Sequence, residues 1–237
     1  MTQSVNVESA GGKMGIFQAA PAGTAQGAVI VIQEAFGITG HIQNVCQRVA
    51  DAGYLAVAPH LFHRSGDPVI GYDKMQDVIP HVMGLKVEGL KADMDATLGH
   101  LAGVGFSSQQ VGVVGFCMGG SVAFIAGVAR PLGAAVTFYG GGITQGRFGG
   151  LPLNQQAKEL QTPWLGLYGD LDQTIPLTEV EMLRKAAKAA PVPTDVVRYP
   201  EADHGFHCND RPSYHEASSK DAWQRTLGWL KTHLKSR

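Results

Sequence analysis

Residues 110–120 read QVGVVGFCMGG, and residues 121–129 continue as SVAFIAGVA. A β-branched run, then glycines around one cysteine, then an apolar helical pattern predict strand, sharp turn and helix, with Cys117 at the turn. The spacing has a steric cause. A side chain held in so tight a turn needs neighbours without side chains two places before and two after, and Gly115 and Gly119 stand there. The turn would push the Cys117 sulfur over the sheet edge, at a helix N-terminus whose partial positive charge favours the thiolate. The Met118 N–H would point at the same place and can hold an oxyanion. The bland alternative is a buried cysteine in a glycine-rich turn; a strand before and a helix after favour the functional reading over it.

Outward from this stretch, short apolar runs alternate with longer helical patterns. Strand candidates are 28–33 (AVIVIQ), 54–58 (YLAVA), 134–139 (AAVTFY), 164–168 (WLGLY) and 194–199 (TDVVRY), beside 110–114 itself. Several are apolar without alternation, as parallel strands buried on both faces are. Ile42, Val45, Val49 and Ala50 share one helical face, with Gly53 as the C-terminal stop. Val87, Leu90, Met94, Leu98 and Leu101 repeat the pattern, with Pro80 dividing off an earlier short helix. Thr178 and Glu181 form a capping box for a helix to about Ala190, and Trp223, Leu227, Leu230 and Leu234 an inner stripe near the end. The expectation is an α/β fold, a doubly wound, mostly parallel sheet flanked by helices, in one domain over 1–237. Residues 60–75 and 140–157 are loose stretches after strands, expected over the carboxyl edge where ligands bind in such sheets.

Composition narrows the classes. The 237 residues are 44% hydrophobic and 16% charged, with 19 basic against 20 acidic side chains and a net charge of −1. That is globular, with no electrostatic footprint for nucleic acid or an anionic membrane. No apolar run reaches the roughly 18 residues of a spanning helix. Three cysteines make no framework of paired bridges, and with no evident signal peptide the expected compartment is the reducing cytoplasm.

A cysteine nucleophile for acyl transfer needs a base and a group to orient it. After 164–168 comes GDLDQTIP with two carboxylates; after 194–199 comes PEADHGF. Asp172 is assigned as the acid over Asp170, which lies close to the strand end, and His204 as the base over His207, because His204 sits in the tight turn.

Together these residues resemble the dienelactone hydrolase family of α/β-hydrolases. The likeness spans nearly the whole chain: the turn GFCMGG, the acid loop GDLDQTIP, the histidine turn ADHGF, and Gln33-Glu34-Ala35-Phe36-Gly37 after the first core strand. It implies hydrolysis of a small ester or lactone by a Cys117–His204–Asp172 triad through a thioester acyl-enzyme. It further implies an oxyanion hole from the Ala35 and Met118 N–H groups. Glu34 would be the carboxylate beside the resting thiol, keeping it protonated by its negative charge and taking the proton once substrate arrives. Phe36, Tyr139, Phe206 and His207 are expected around the substrate. The runners-up are a carboxylesterase of broad small-ester specificity and a non-catalytic small-molecule binder on the same fold.

The chain departs from the best-known members in one respect. Those carry substrate-clamping arginines in the helical insert and shortly after the histidine, whereas the insert GYDKMQDVIPHVMG has none and the turn reads His204-Gly205-Phe206-His207-Cys208. Lys74, His207, Arg211 and Arg147 are the alternative cations, and the sequence selects none of them. His60-x-x-His63 and His204-x-x-His207-Cys208 could be imagined as metal ligands, but such pairs outside a helix have no preferred geometry. No metal and no cofactor are expected. Cys46 reads as core and Cys208 as a partly exposed thiol. The expected partner is the small-molecule ester or lactone substrate; the chain itself is expected as a monomer or weak homodimer, with no nucleic-acid or membrane partner.

Overall fold

Two strands precede those the apolar runs indicated. β1 (Thr2–Ser9) and β2 (Gly12–Ala19) form a hairpin in which Ser9 pairs with Gly12, and Gly11 and Gly12 take φ of +96° and +120°. The period-two signal is present in Val5/Val7 and Met14/Ile16, and Met14 and Ile16 are fully buried. In the computed structural model, which describes residues 2–235, six further strands follow. They are β3 (Ala28–Ile32), β4 (Leu55–Pro59), β5 (Val111–Phe116), β6 (Ala134–Phe138), β7 (Trp164–Gly169) and β8 (Thr194–Tyr199). The sheet order is β1-β2-β4-β3-β5-β6-β7-β8, antiparallel across β1, β2 and β4 and parallel elsewhere. All residues of β3 to β7 are buried, so these strands read as unbroken apolar runs.

Among the described residues seven α-helices flank the sheet: α1 (Gly40–Asp51), α2 (Met75–Gly84), α3 (Val87–Gly103), α4 (Met118–Ala129), α5 (Leu153–Gln156), α6 (Leu177–Ala187) and α7 (Glu216–His233). Gly53 follows the end of α1 with φ of +93°, as its stop. Two expectations fail in detail. Pro80 lies inside α2 rather than at its end; the chain breaks instead at Leu85 and Lys86, both extended. Pro176 precedes α6 with no side-chain cap, so the Thr178–Glu181 capping box does not form. Proline's fixed φ already prepares the first turn, and Thr178 falls inside the helix. In α7 Leu230 is fully buried, while Trp223, Leu227 and Leu234 are partly so. Among the described residues, no helix is long and apolar enough to cross a membrane.

The topology selects one crevice. β3 and β5 are neighbours, yet the chain leaves β3 towards β4 and leaves β5 towards β6. At such a switch point the loops part and open a cleft at the carboxyl edge. Glu34 and Ala35 leave β3 there, and Cys117 leaves β5 there. The ends of β7 and β8 are tied together one step further along: the Leu171 N–H donates to the Ala202 carbonyl at 3.0 Å.

That tie depends on Gly169, where an added Cβ would stand 2.2 Å from the Ala202 carbonyl oxygen. Gly169→Ala should therefore cost about 1–3 kcal/mol, an overpacking penalty, and lower the melting temperature by about 2 °C or more. Gly99→Ala, on the exposed face of α3 with open space around it, should leave stability unchanged or raise it. Thermal unfolding of both variants followed by circular dichroism checks the contrast.

Candidate active site

Cys117 sits between β5 and α4 with φ of +55°, in the left-handed region that favours glycine. The backbone holds it there. Its N–H donates to the Phe138 carbonyl at 3.0 Å, and its carbonyl accepts from the Gly120 N–H at 3.0 Å. A Cβ on Gly115 would lie 1.9 Å from the Gly119 carbonyl oxygen, and one on Gly119 would lie 2.4 Å from the Gln33 oxygen. Helix α4 thus starts in direct contact with the end of β3, and the thiol is lifted to its N-terminus. Met118 is the first residue of α4, so its N–H is one of the donors the helix leaves unpaired with its own carbonyls.

Asp172 and His204 converge beside it. His204 Nδ1 lies 2.6 Å from Asp172 Oδ2. The other carboxylate oxygen accepts from the Thr174 N–H (2.8 Å), the Thr174 hydroxyl (2.7 Å) and the Ile175 N–H (3.2 Å). Asp170 faces away, bridged by both oxygens to Arg198 at 2.7 and 2.8 Å. His207 is one turn further and points into the core, with Ser219 at 2.9 Å and Arg48 at 3.0 Å on its two nitrogens. With Nδ1 committed to Asp172, His204 presents Nε2 to the sulfur.

The charges around the sulfur compete. Burial pushes the Cys117 thiol up, but the facing His204 imidazolium, by charge and hydrogen bond, outweighs burial and holds the thiol below its ordinary value. Glu34 pushes it up and Arg147 pulls it down as smaller effects. The reciprocal holds for His204: burial lowers its pKa, while the Cys117 thiolate and the Asp172 carboxylate raise it further, so the net is upward. Asp172 is raised by burial yet held below the usual carboxylate range by His204 and Thr174. The pull of His204 therefore favours ionisation of the thiol. The raising effect expected of Glu34 is present, as the smaller of the two.

Glu34 is fully buried. Oε2 accepts from the Tyr72 hydroxyl at 3.1 Å, and Oε1 lies 3.5 Å from Arg211 Nη1. Its influence on Cys117 is through charge. A cavity of about 400 Å³ opens over the site, lined by Ala35, Cys117, Met118, Thr174 and His204 at its base. Arg147 and Arg211 reach it from two loops, and α2 supplies an apolar wall of Met75, Val78, Ile79, Val82 and Met83. Of the residues expected around the substrate, Phe36 lines this cavity. Tyr139, Phe206 and His207 do not. Tyr139 packs behind the imidazole at 5.1 Å between ring centroids, and Phe206 and His207 are core. Cys208 is buried rather than partly exposed. Thr174 and Tyr72 went unread in the sequence. Asp-x-Thr, a carboxylate accepting its own N–H two residues on, is the signal that points to Thr174; nothing local marks Tyr72.

The depressed thiol makes a testable difference. Cys208 is pushed up to about 11 and Cys46 to about 12, both chiefly by burial, whereas Cys117 is held below its ordinary value, so Cys117 is the readiest of the three to ionise. Iodoacetamide at pH 6.5 should label Cys117 alone. Removing the imidazolium with His204→Ala removes what lowers the thiol, so labelling should shift to higher pH; an unshifted profile would show that His204 does not control it.

The sequence model of the dienelactone hydrolase family matches residues 14–234. A protein of Salmonella typhimurium named "Putative carboxymethylenebutenolidase" is 39% identical over 213 residues, covering 85% of this chain and 76% of that protein. The carboxymethylenebutenolidase of Pseudomonas putida is 25% identical over 235 residues, 97% of this chain and 96% of that one. A solved structure, "Putative Dienelactone Hydrolase from Klebsiella pneumoniae", superposes with a TM-score of 0.90 at 36% identity over 98% of both chains. With the family matched over residues 14–234 and the fold shared, the chain is a hydrolase that belongs to the dienelactone hydrolase family.

Proposed function

We propose that the protein cleaves a small ester or lactone with Cys117 as nucleophile, through a thioester acyl-enzyme. The observation that carries this reading is the line from Cys117 through His204 to Asp172 at the base of the cavity, with 2.6 Å between His204 Nδ1 and Asp172 Oδ2. The thiolate attacks the carbonyl carbon. The oxygen takes up the negative charge and rests on the N–H groups of Ala35 and Met118, both at the cavity base. His204 gives its Nε2 proton to the departing alkoxide, and the S–C bond remains as a thioester. Water then attacks, His204 takes its proton, and the thiolate leaves with the acid as product. Asp172 holds the ring so that Nε2 faces the sulfur, and stabilises its cationic form.

Glu34 is the second proton acceptor in this reading. At rest it is drawn towards Arg211 and Tyr72. A substrate anion that competes for Arg211 would loosen that hold, and Glu34 could then take a proton from any thiol fraction. Arg147 and Arg211 supply two positive charges in one cavity otherwise walled by aliphatic and methionine side chains. The substrate they fit is an ester or lactone with an anionic group and an apolar portion. A thiolate leaves as readily as it attacks, so amides, with poor leaving groups, are disfavoured.

A panel of anionic enol-lactones and neutral activated esters, assayed with and without a thiol alkylator, tests the reading. Cys117→Ala should lower turnover of every substrate by several orders of magnitude, since a lost nucleophile leaves only binding and oxyanion effects. Full activity in that variant would refute it, and no turnover of any ester by the wild type would favour the binder. Arg147→Gln should raise KM for the anionic substrates by about tenfold, the worth of one charge-assisted hydrogen bond, and leave neutral esters unchanged. Equal KM values for both kinds would favour a broad carboxylesterase.

A further inference from the structure

We propose that Glu34, His41 and Cys208 form a site for a thiophilic divalent cation of the zinc class, behind the catalytic cysteine. Glu34 comes from the exit of β3, His41 from the first turn of α1 and Cys208 from the turn after His204. One ligand atom from each lies within 4.8 Å of the other two, and all three residues are buried. Such closeness in the interior is ordinarily settled by hydrogen bonds. Here they settle it only in part: Asn209 acts on His41, Tyr72 on Cys208 and Arg211 on Glu34, yet both ring nitrogens of His41 and Glu34 Oε1 have no partner at full hydrogen-bond geometry. Each unsatisfied buried polar atom costs about 1–3 kcal/mol, so the cluster is built around something that accepts lone pairs.

The donor set says what that is. Thiolate sulfur, imidazole nitrogen and one carboxylate oxygen are the ligands of tetrahedral, borderline-soft ions, and a magnesium or calcium site would be all oxygen. The local charge also fits. Glu34 and Asp210 both act electrostatically on His41 and on Cys208. With Cys208 ionised these three anions balance a divalent ion together with Arg211, which stands 3.5 Å from Glu34. Binding breaks the Cys208 S–H bond, the proton leaves to solvent, and the sulfur pair bonds the metal; nothing is oxidised or reduced. The two histidine pairs noticed in the sequence offer no rival. His60 is held by Asp67, His63 by Asp93, His204 by Asp172 and His207 by Arg48 and Ser219.

The site has a consequence that rests on the proposed role of Glu34. A carboxylate ligating a metal cannot move to take a proton, so occupancy slows turnover.

Cobalt(II) is the probe, because a thiolate ligand gives it an intense near-ultraviolet charge-transfer band and a tetrahedral field gives strong visible bands. The Cys117→Ser protein, which lacks the competing thiolate, should bind one cobalt ion with both sets of bands. The charge-transfer band should vanish when Cys208→Ser is added. His41→Ala should weaken binding by about tenfold or more. No band, or one that survives Cys208→Ser, would overturn the site and leave a buried water as what satisfies His41. These spectra involve no turnover, so they stand or fall apart from the hydrolase reading. In protein with Cys117 intact, zinc should slow ester turnover, while Cys208→Ser and His41→Ala should keep metal-free turnover and lose the inhibition. Inhibition unchanged in both variants would overturn the regulatory consequence.

Discussion

The arrangement depends on one close approach, the start of α4 against the end of β3. Gly119 has no room for a Cβ beside the Gln33 carbonyl, and Gly115 none beside Gly119. Between them Cys117 carries the side chain at the apex of the turn, and the backbone accepts a left-handed φ there at a cost of about 1–3 kcal/mol. The parallel core on both sides sustains that strain. In return the sulfur stands at a helix N-terminus, at the switch point of the sheet, with the β3 loop carrying Glu34 and Ala35 on one flank. The loops carrying Asp172 and His204 then need only reach one position, and the tie between Leu171 and Ala202 brings them there together.

Electrostatics at the site is a contest between two directions of pull on one proton. Burial and Glu34 favour the thiol; His204 and Arg147 favour the thiolate. The cation that faces the sulfur directly prevails over the anion engaged elsewhere, because Glu34 already has Tyr72 and Arg211 to answer. In the proposed reading substrate would enter this balance through Arg211: an anionic group bound there would weaken its attraction for Glu34, so that substrate recognition and proton traffic would share one residue.

The sequence made the central sheet, the turn at Cys117 and the pairing of Asp172 with His204 legible, because each rests on local pattern. Several apolar runs without alternation read as strands buried on both faces, and glycines two places either side of a cysteine, between a strand and a helix, favour a sharp turn. Position favours Asp172 over Asp170, with Asp170 expected to cap the loop; Asp170 turns instead to Arg198 on the neighbouring strand, and it is Asp172 that meets His204. What was missed is long-range. Val5/Val7 and Met14/Ile16 alternate, but they mark strands only in the presence of β4 to pair with. Arg147 and Arg211 were two of four candidate cations that the sequence could not choose between, because they are more than sixty residues apart and meet only across the cavity. His41 drew no reading from the sequence; that its ring nitrogens lack a partner at hydrogen-bond geometry is visible only in the fold, where Glu34 and Cys208 lie against it. His207 was misplaced because a turn of backbone decides which of two nearby histidines faces the crevice.

The acyl-enzyme on Cys117 is the central claim, and trapping it tests the claim most directly. An activated ester is mixed with the wild-type protein, quenched in acid during the first turnovers, and the protein is digested and read by mass spectrometry. The account predicts the acyl mass on the peptide containing Cys117, lost on treatment with neutral hydroxylamine as a thioester would be. An acyl group on another residue, or steady turnover with no adduct at Cys117 at any quench time, would contradict it.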